Sequence, residues 1–135
     1  MSDYDEIKET IFHYFEGVKN KDRARLERAF ALDVANIIGY DDRNADGGRV
    51  LWCRPMRETI DKWTSDEFET AWLTYGKILS VNIFSDVGAT ATFDCAGLYV
   101  DTYQLVKLDG EWRIANKFFT ERQKIVGAEK STAAI

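Results

Sequence analysis

The sequence predicts an α+β domain in which three N-terminal helices pack on the concave face of a cone-shaped, curved antiparallel β-sheet. Apolar residues recur every three or four positions in the first part of the chain, which is typical of amphipathic helices. From Ala71 onward the pattern changes to β-branched and aromatic runs separated by turns. Helices followed by a meander of long strands favour this architecture, because the helices then lie together against one side of the sheet.

Each helix has its own signal. The first is predicted from Asp3 to about Asn20, since its apolar residues share one face. Those residues are Ile7, Ile11, Tyr14, Phe15 and Val18. Asp22 is a predicted N-cap for a short second helix that ends at Phe30, because its carboxylate can accept from a free backbone amide. Pro55 stands where a third helix can begin, since proline at a helix start costs no hydrogen bond.

Two strands are predicted before the third helix and four after it. Their ranges are 33–40, 49–53, 77–84, 89–95, 99–108 and 111–121. The segment 41–48 is dense in Asp, Asn and Gly and predicts an exposed loop. Gly97 is a candidate bend or bulge where the sheet curls. We expect residues 1–122 to form a single domain and residues 123–135, which are small and polar, to form a poorly ordered tail.

Length and composition restrict the class of protein. A chain of 135 residues with 45% hydrophobic content has enough apolar side chains for one core but not for two. The net charge is -5 and no basic cluster is interleaved with aromatic residues, so we expect no nucleic-acid partner. The acidic N-terminal segment and the lack of a long apolar run predict a cytoplasmic protein without a membrane partner.

Cysteine and histidine usage argues against metal chemistry. Cys53 and Cys95 form neither a disulfide framework nor a metal-ligand spacing, so we expect free, buried thiols. His13 is the single histidine, which excludes a histidine-rich metal site. We expect neither a metal nor another cofactor.

The terminal hairpin carries the most information about function. Asp109-Gly110 between two β-rich runs is a strong signal for a two-residue type I′ turn, and that turn sets the register. Leu108 then pairs with Glu111. The residues on one face become Lys107, Leu105, Tyr103 and Asp101 opposite Trp112, Ile114, Asn116 and Phe118. Asp101 lies in a row of large apolar side chains, where an acid needs a partner or a proton.

A curled sheet capped by helices encloses a pocket, and such pockets are mostly apolar with a few convergent polar groups. The candidate contact residues, as walls or polar groups of the inner face, are Trp52, Trp63, Tyr103, Asn116 and Phe118. Each has a structural alternative, since aromatic residues at strand or helix spacing also fill cores. A register error of one residue would turn Asp101 to solvent.

The order of elements and four segments carry a resemblance to a known family. The segments are Tyr14-Phe15-Glu16-Gly17, Phe30 to Gly39, Arg54-Pro55 and Gly110-Glu111-Trp112-Arg113-Ile114-Ala115-Asn116-Lys117. Over roughly residues 3–122 the chain resembles the nuclear-transport-factor-2-like (SnoaL-like) superfamily, and within it most resembles the Putative lumazine-binding family. The resemblance implies a homodimer that forms through the outer sheet face. Because the superfamily includes isomerases, cyclases and non-catalytic binders, the function must be argued from the site.

Similarity to the ketosteroid isomerases of that superfamily implies roles for two residues. Their oxyanion-hole tyrosine falls on Tyr14, and their protonated aspartic acid falls on Asp101. Both would be catalytic as hydrogen-bond donors to a developing oxyanion. The general-base position falls on Ile38, which carries no titratable group, so we expect no steroid isomerisation. A base for another reaction would be Asp41, His13 or water.

Two functions from different classes therefore stand as hypotheses. The first is a small-molecule-binding domain for an apolar or heterocyclic ligand, with or without isomerase- or cyclase-like catalysis, in which Tyr14 and Asp101 are carbonyl or oxyanion donors. The second is a non-catalytic dimeric protein-interaction module with a vestigial pocket. Cavity size distinguishes them, because a cone filled by bulky side chains would exclude the first.

Overall fold

The computed structural model describes residues 1–41 and 48–122, which form three helices and one six-stranded sheet. The helices are α1 (Asp3–Lys19), α2 (Arg23–Ala29) and α3 (Met56–Trp63). The strands are β1 (Asn36–Asp41), β2 (Val50–Pro55), β3 (Gly76–Ile83), β4 (Gly88–Cys95), β5 (Tyr99–Leu108) and β6 (Glu111–Glu121). The tail predicted for residues 123–135 and most of the loop predicted for 41–48 lie outside the described residues.

Local signals explain how the helices begin. The Ser2 side chain caps α1 by accepting from the Asp5 amide over 3.1 Å, and Asp22 caps α2 as predicted, through the Arg25 amide. Pro55 occupies the N-cap position of α3, one residue earlier than the first helical position that proline favours. None of the helices within the described residues is long and apolar enough to cross a membrane.

The strand order in the sheet is β2-β1-β6-β5-β4-β3, and it confirms the predicted α+β class. Neighbouring strands are antiparallel with one exception, the parallel pair of β1 and β6, in which Asn36 lies opposite Asn116. The sheet is therefore mixed. Turn residues indicate hairpins between consecutive strands, whereas β1 and β6 are far apart in the chain and carry no local signal of their pairing.

The core lies between the helices and the concave face of the sheet. Ile7 and Ile11 of α1, Ile60 of α3 and Trp112 of β6 are all buried there. The Trp112 indole donates to Asp3 Oδ1 over 3.0 Å, which joins the first turn of α1 to the last strand. Burying an isoleucine side chain contributes about 1.5–3 kcal/mol. Burial of Ile7 and Ile11 therefore anchors α1 on the sheet more than this single hydrogen bond does.

A β-bulge in β6 changes the predicted register of the terminal hairpin. Asp109 and Gly110 have positive φ angles of 50° and 80°, and Leu108 pairs with Glu111, as the type I′ turn requires. Further along, Leu105 pairs with Ile114 but Gln104 pairs with Asn116, so Ala115 is an extra residue in β6. From Asn116 onward, every side chain of β6 therefore points to the face opposite to the one that the turn alone predicts.

Because of the bulge, the predicted inner-face positions of Asn116 and Phe118 are wrong. Beyond it, Tyr103 lies opposite Lys117 instead of Asn116, and Asp101 lies opposite Phe119 instead of Phe118. Lys117 is buried, whereas Asn116 and Phe118 belong to the other face of the sheet. There the Phe118 ring packs against the exposed side chain of Tyr40, with 6.2 Å between the ring centroids.

Gly97 has a different role from the predicted bend within the sheet. It lies with Ala96 in the turn between β4 and β5, and both residues have positive φ angles, 57° and 74°. The Gly97 amide donates to Asp94 Oδ1 over 3.0 Å, which closes this turn. The bulges of the sheet lie instead at Ala115 and near Leu79.

Candidate functional site

An apolar cavity of about 320 Å³ lies between the concave face of the sheet and helices α1 and α3. Its walls are mainly aromatic and come from both helices, the sheet and the segment after α3. The aromatic residues of the walls are Trp52, Trp63, Phe68, Trp72, Tyr99 and Phe119. Cavities that take small molecules span about 300–1,000 Å³, so this one suits a compact ligand.

Asp101 is the centre of a polar cluster at the floor of the cavity. Its side chain is only 1% exposed, and its Oδ2 atom accepts from the Tyr103 hydroxyl over 2.9 Å and from the Tyr14 hydroxyl over 3.3 Å. The ammonium of Lys117 lies 3.5 Å from the other carboxylate oxygen, Oδ1. Asp101 thus has the partners that the sequence required, and it accepts hydrogen bonds from both tyrosines.

Lys117 is held by aromatic faces as well as by Asp101. Its Nζ atom lies 4.5 Å from the ring centroid of Phe119, 5.2 Å from that of Tyr14 and 5.8 Å from that of Trp63. Cations at these distances are attracted by the negative face of an aromatic ring. The strand register explains the arrangement, because Lys117 lies opposite Tyr103 and Phe119 lies opposite Asp101.

Burial keeps the hydroxyl and thiol groups of the floor protonated. It is the main cause that raises the pKa of Tyr14 and of Tyr103 well above the ordinary value, and the negative charge of Asp101 adds to the effect. Burial likewise raises the pKa of the Cys95 thiol to about 12. Both tyrosines are therefore donors at neutral pH, and Cys95 is not a thiolate nucleophile.

The cavity brings together four of the predicted site residues. Tyr14, Asp101, Trp52 and Trp63 line it. Tyr103 is buried and does not line the cavity, but its hydroxyl donates to Asp101, which does. Asn116 and Phe118 do not line it, because of the bulge in β6.

The candidate bases lie apart from the floor. His13 is not among the residues that line the cavity; its Nδ1 accepts from Arg25 over 3.2 Å, and burial lowers its pKa. Asp41 lines a second, more polar cavity of about 290 Å³ at the end of β1. At the isomerase base position, Ile37 faces the main cavity and Ile38 does not, so an apolar side chain stands there in either case.

The sequence did not identify Lys117, Phe119 and Arg54 as cavity residues. Arg54 is exposed and stacks on Trp52, with its guanidinium carbon 4.3 Å from the ring centroid, at a wall that the two cavities share. The need of Asp101 for a partner was the available signal for Lys117. Within the described residues, no group of three His, Cys, Asp or Glu side chains could hold a metal ion.

The fold and the lined cavity together define a nuclear-transport-factor-2-like domain. The chain belongs to the family described as "Putative lumazine-binding", whose family model matches residues 2–120. Among curated proteins, no sequence matches this chain significantly.

Solved structures support the same class. An NTF2-like protein of unknown function from Shewanella baltica OS155 is 25% identical, with a TM-score of 0.72 over 90% of this chain and 94% of its own. A second one, from Methylobacillus flagellatus KT, is 23% identical, with a TM-score of 0.71 over 90% and 93%. A ketosteroid isomerase-like protein from Erwinia carotovora atroseptica SCRI1043 is 15% identical, with a TM-score of 0.60 over 88% and 95%. The similarity to the two structures below 25% identity shows a shared fold and nothing about function.

Proposed function

We propose that this protein binds a flat, largely apolar small molecule whose polar edge meets the cluster of Tyr14 and Asp101. The single observation that carries the proposal is the cavity of about 320 Å³ with aromatic walls and one buried polar cluster at its floor. That combination of apolar walls and a few convergent polar groups is typical of small-molecule sites.

The character of the walls supports a planar ligand. Aromatic side chains pair best with other rings in stacked or edge-on arrangements, and such pairs add about 0.5–1.5 kcal/mol beyond area burial. Trp63 and Phe119 lie on different elements and both face the cavity. The family description names lumazine, a planar bicyclic heterocycle with two ring carbonyls, and a molecule of that class is the natural first probe.

Binding is better supported than catalysis. An isomerase- or cyclase-like reaction through Tyr14 and Asp101 would need a base next to that cluster, yet His13 and Asp41 both lie elsewhere. The acid Glu58 of α3 lines the cavity but is exposed, and within the described residues it makes no hydrogen bond or ion pair with the cluster. The Asp101 carboxylate also accepts from two hydroxyls and faces an ammonium, which suits a charged acceptor more than a protonated donor. We therefore favour a binding domain without proton transfer.

The alternative function is a dimeric protein-interaction module. The open cavity favours the binding domain, since a vestigial pocket would be filled by side chains. Dimerisation is compatible with both functions. We propose a homodimer through the outer face of the sheet, where Thr102 and Gln104 are exposed beside the half-buried Phe118, and a cytoplasmic location in keeping with the charge-rich sequence.

Thermal unfolding with lumazine, riboflavin and 2-naphthol tests the proposal. A ligand that binds only the folded state raises Tm by mass action. We expect at least one of these probes to raise Tm of the wild type, and the shift to shrink in Tyr14→Phe and Asp101→Asn. Tyr4→Phe is the matched control, because the same hydroxyl is removed from an exposed position of α1. Wild-type protein whose Tm responds to none of the three probes would contradict the proposal.

A further inference from the structure

We propose that Lys117 is the residue that holds the ligand, by donating a hydrogen bond from its ammonium to a ring carbonyl oxygen at the floor of the cavity. Asp101, Tyr14 and Tyr103 then act as positioning residues for that ammonium. The inference rests on the proposed function and deepens it, because it assigns both the contacting atom and the chemical class of the ligand edge.

The first step is the number of donors that Lys117 has to satisfy. An ammonium has three N–H donors and no acceptor. The side chain is only 5% exposed, and Nζ has Asp101 Oδ1 at 3.5 Å as its one polar partner within residues 1–41 and 48–122. Charge-assisted hydrogen bonds are about 2.7–2.9 Å long, so this contact is an ion pair at more than hydrogen-bond distance. Buried donors without acceptors cost about 1–3 kcal/mol or more.

The second step is that Lys117 lines the cavity, so an acceptor placed there can reach its unused donors. The other polar groups of the floor are already engaged. Tyr103 and Tyr14 each have one O–H, and both donate to Asp101 Oδ2. Asp101 in turn offers only acceptor oxygens, one facing the tyrosines and one facing the ammonium. Lys117 therefore has the largest unused donor capacity of the cluster.

The third step concerns the charge of the group that binds. The ion pair of Lys117 and Asp101 is neutral as a whole, and both partners are buried. A carboxylate or phosphate at the floor would meet the like charge of Asp101 at low effective dielectric. A carbonyl oxygen accepts from the ammonium without that repulsion. The rings of Tyr14, Trp63 and Phe119 around Nζ leave room beside it for a planar apolar skeleton.

A pair of bicyclic probes of similar size isolates the hydrogen bond. Coumarin has a ring carbonyl, whereas naphthalene has none, and both fit the apolar character of the walls. Binding is measured by titration calorimetry at neutral pH. We expect wild-type protein and the control Tyr4→Phe to bind coumarin about 10-fold or more tightly than naphthalene, the effect of one hydrogen bond to a charged group.

Removal of the ammonium should abolish that preference. Lys117→Met keeps the length of the side chain and loses the donors, so we expect it to bind the two probes about equally, whereas Tyr14→Phe should lose less of the preference. Lys117→Met leaves the Asp101 charge unpaired, so the double variant Lys117→Met/Asp101→Asn repeats the measurement with a neutral pair. The infrared carbonyl stretch of bound coumarin, measured on the wild type, should lie below its value in hexane.

The outcomes separate the two proposals. Wild-type protein that binds both probes equally, with no shift of the carbonyl stretch, would overturn the assignment to Lys117 and leave the pocket intact. The assignment also fails if either Lys117 variant keeps the full preference for coumarin. Wild-type protein that binds neither probe would contradict the proposed function itself.

Discussion

The ammonium nitrogen of Lys117 lies 3.5 Å from Oδ1 of Asp101, and both side chains are almost completely buried at the floor of an aromatic cavity. Transfer of two charges out of water costs several kcal/mol per ion. Hydrogen bonds from two tyrosines to Asp101 and aromatic faces around Lys117 offset part of that cost. The pair is thus a poor source of net stability, and each partner depends on the other.

That dependence predicts a non-additive effect on the free energy of unfolding. Lys117→Met alone should lower it by about 3–5 kcal/mol, because a buried carboxylate is left without its cation. Lys117→Met/Asp101→Asn should lower it by less than the sum of the single substitutions, as expected for residues in contact. Urea denaturation with global fits provides the values. Additive effects of the two single substitutions would show that the groups do not interact.

A larger residue at Gly39 of β1 is predicted to destabilise the protein. A Cβ atom there would lie 2.6 Å from the Phe119 ring and 2.8 Å from the Trp52 ring. Gly39→Ala should therefore lower the free energy of unfolding by about 1–3 kcal/mol through overpacking. Phe119→Leu removes ring atoms from this contact, so the cost of Gly39→Ala should fall in that background. Chemical denaturation of the four proteins checks this, and an unchanged cost would disprove the clash.

The two cysteines should differ in reactivity towards a thiol reagent. Both thiols are free, but the expected burial is wrong for Cys53, which is exposed on β2. Cys95 is buried, and that burial raises its pKa to about 12. Because the thiolate is the reactive form, we expect the native protein to react rapidly at Cys53 alone and at both thiols in urea. Absorbance of released thionitrobenzoate follows the reaction. Cys53→Ser is the control, and rapid labelling of that variant in its native state would contradict the buried position of Cys95.

Alkaline pH should destabilise the protein through the floor of the cavity. Cys95, Tyr14 and Tyr103 have higher pKa values in the folded state than the ordinary values of 9.0 and 10.0. The folded state then binds more protons than the unfolded state, so their contribution is complete below about pH 9 and declines as the pH rises towards the folded-state values.

Urea denaturation above and below pH 9.0 measures this decline, since 9.0 is the ordinary pKa of the Cys95 thiol. Tyr14→Phe removes one of the three titrating groups, so its stability should depend less steeply on pH above the ordinary tyrosine pKa of 10.0. A stability that stays constant up to pH 12 in the wild type would be incompatible with the raised pKa values.

The outer face of the sheet is predicted to mediate a homodimer. Light scattering after size exclusion should give a mass near twice 15.5 kDa at micromolar concentration. Thr102→Glu places a charge on this face and should shift the equilibrium towards the monomer. Thr74→Glu makes the same change at an exposed position outside the sheet and should leave the mass unchanged. A wild-type monomer would disprove the dimer.

The elements that depend on local signals were predictable from the sequence. The range of β6, the Asp22 cap and the Asp109-Gly110 turn follow from periodicity, side-chain hydrogen bonding and positive φ angles. The burial of Asp101 and its closeness to Tyr14 also agree with the predicted face.

The bulge at Ala115 was not predictable in this way. Nothing in the adjacent residues distinguishes a regular strand from one with an extra residue, because the choice depends on how distant side chains pack against β6. Lys117 was missed for the same reason, although Asp101 required a partner. The adjacent Phe118 and Phe119 satisfy an apolar inner face in either register, so hydrophobicity did not reveal the shift.

The bulge at Ala115 also affects how relatives should be compared. Positions 116–121 are displaced by one residue against β5, so in a relative without this bulge the residues aligned with 116–121 would point to the opposite face of the sheet. When the cavities of relatives of low identity are compared, residues of β6 should therefore be matched by the face of the sheet to which they point, not by their position in an alignment. Insertion or deletion of one residue in a last strand is thus a single genetic event that exchanges the cavity-lining residues beyond the point of change, here including Lys117.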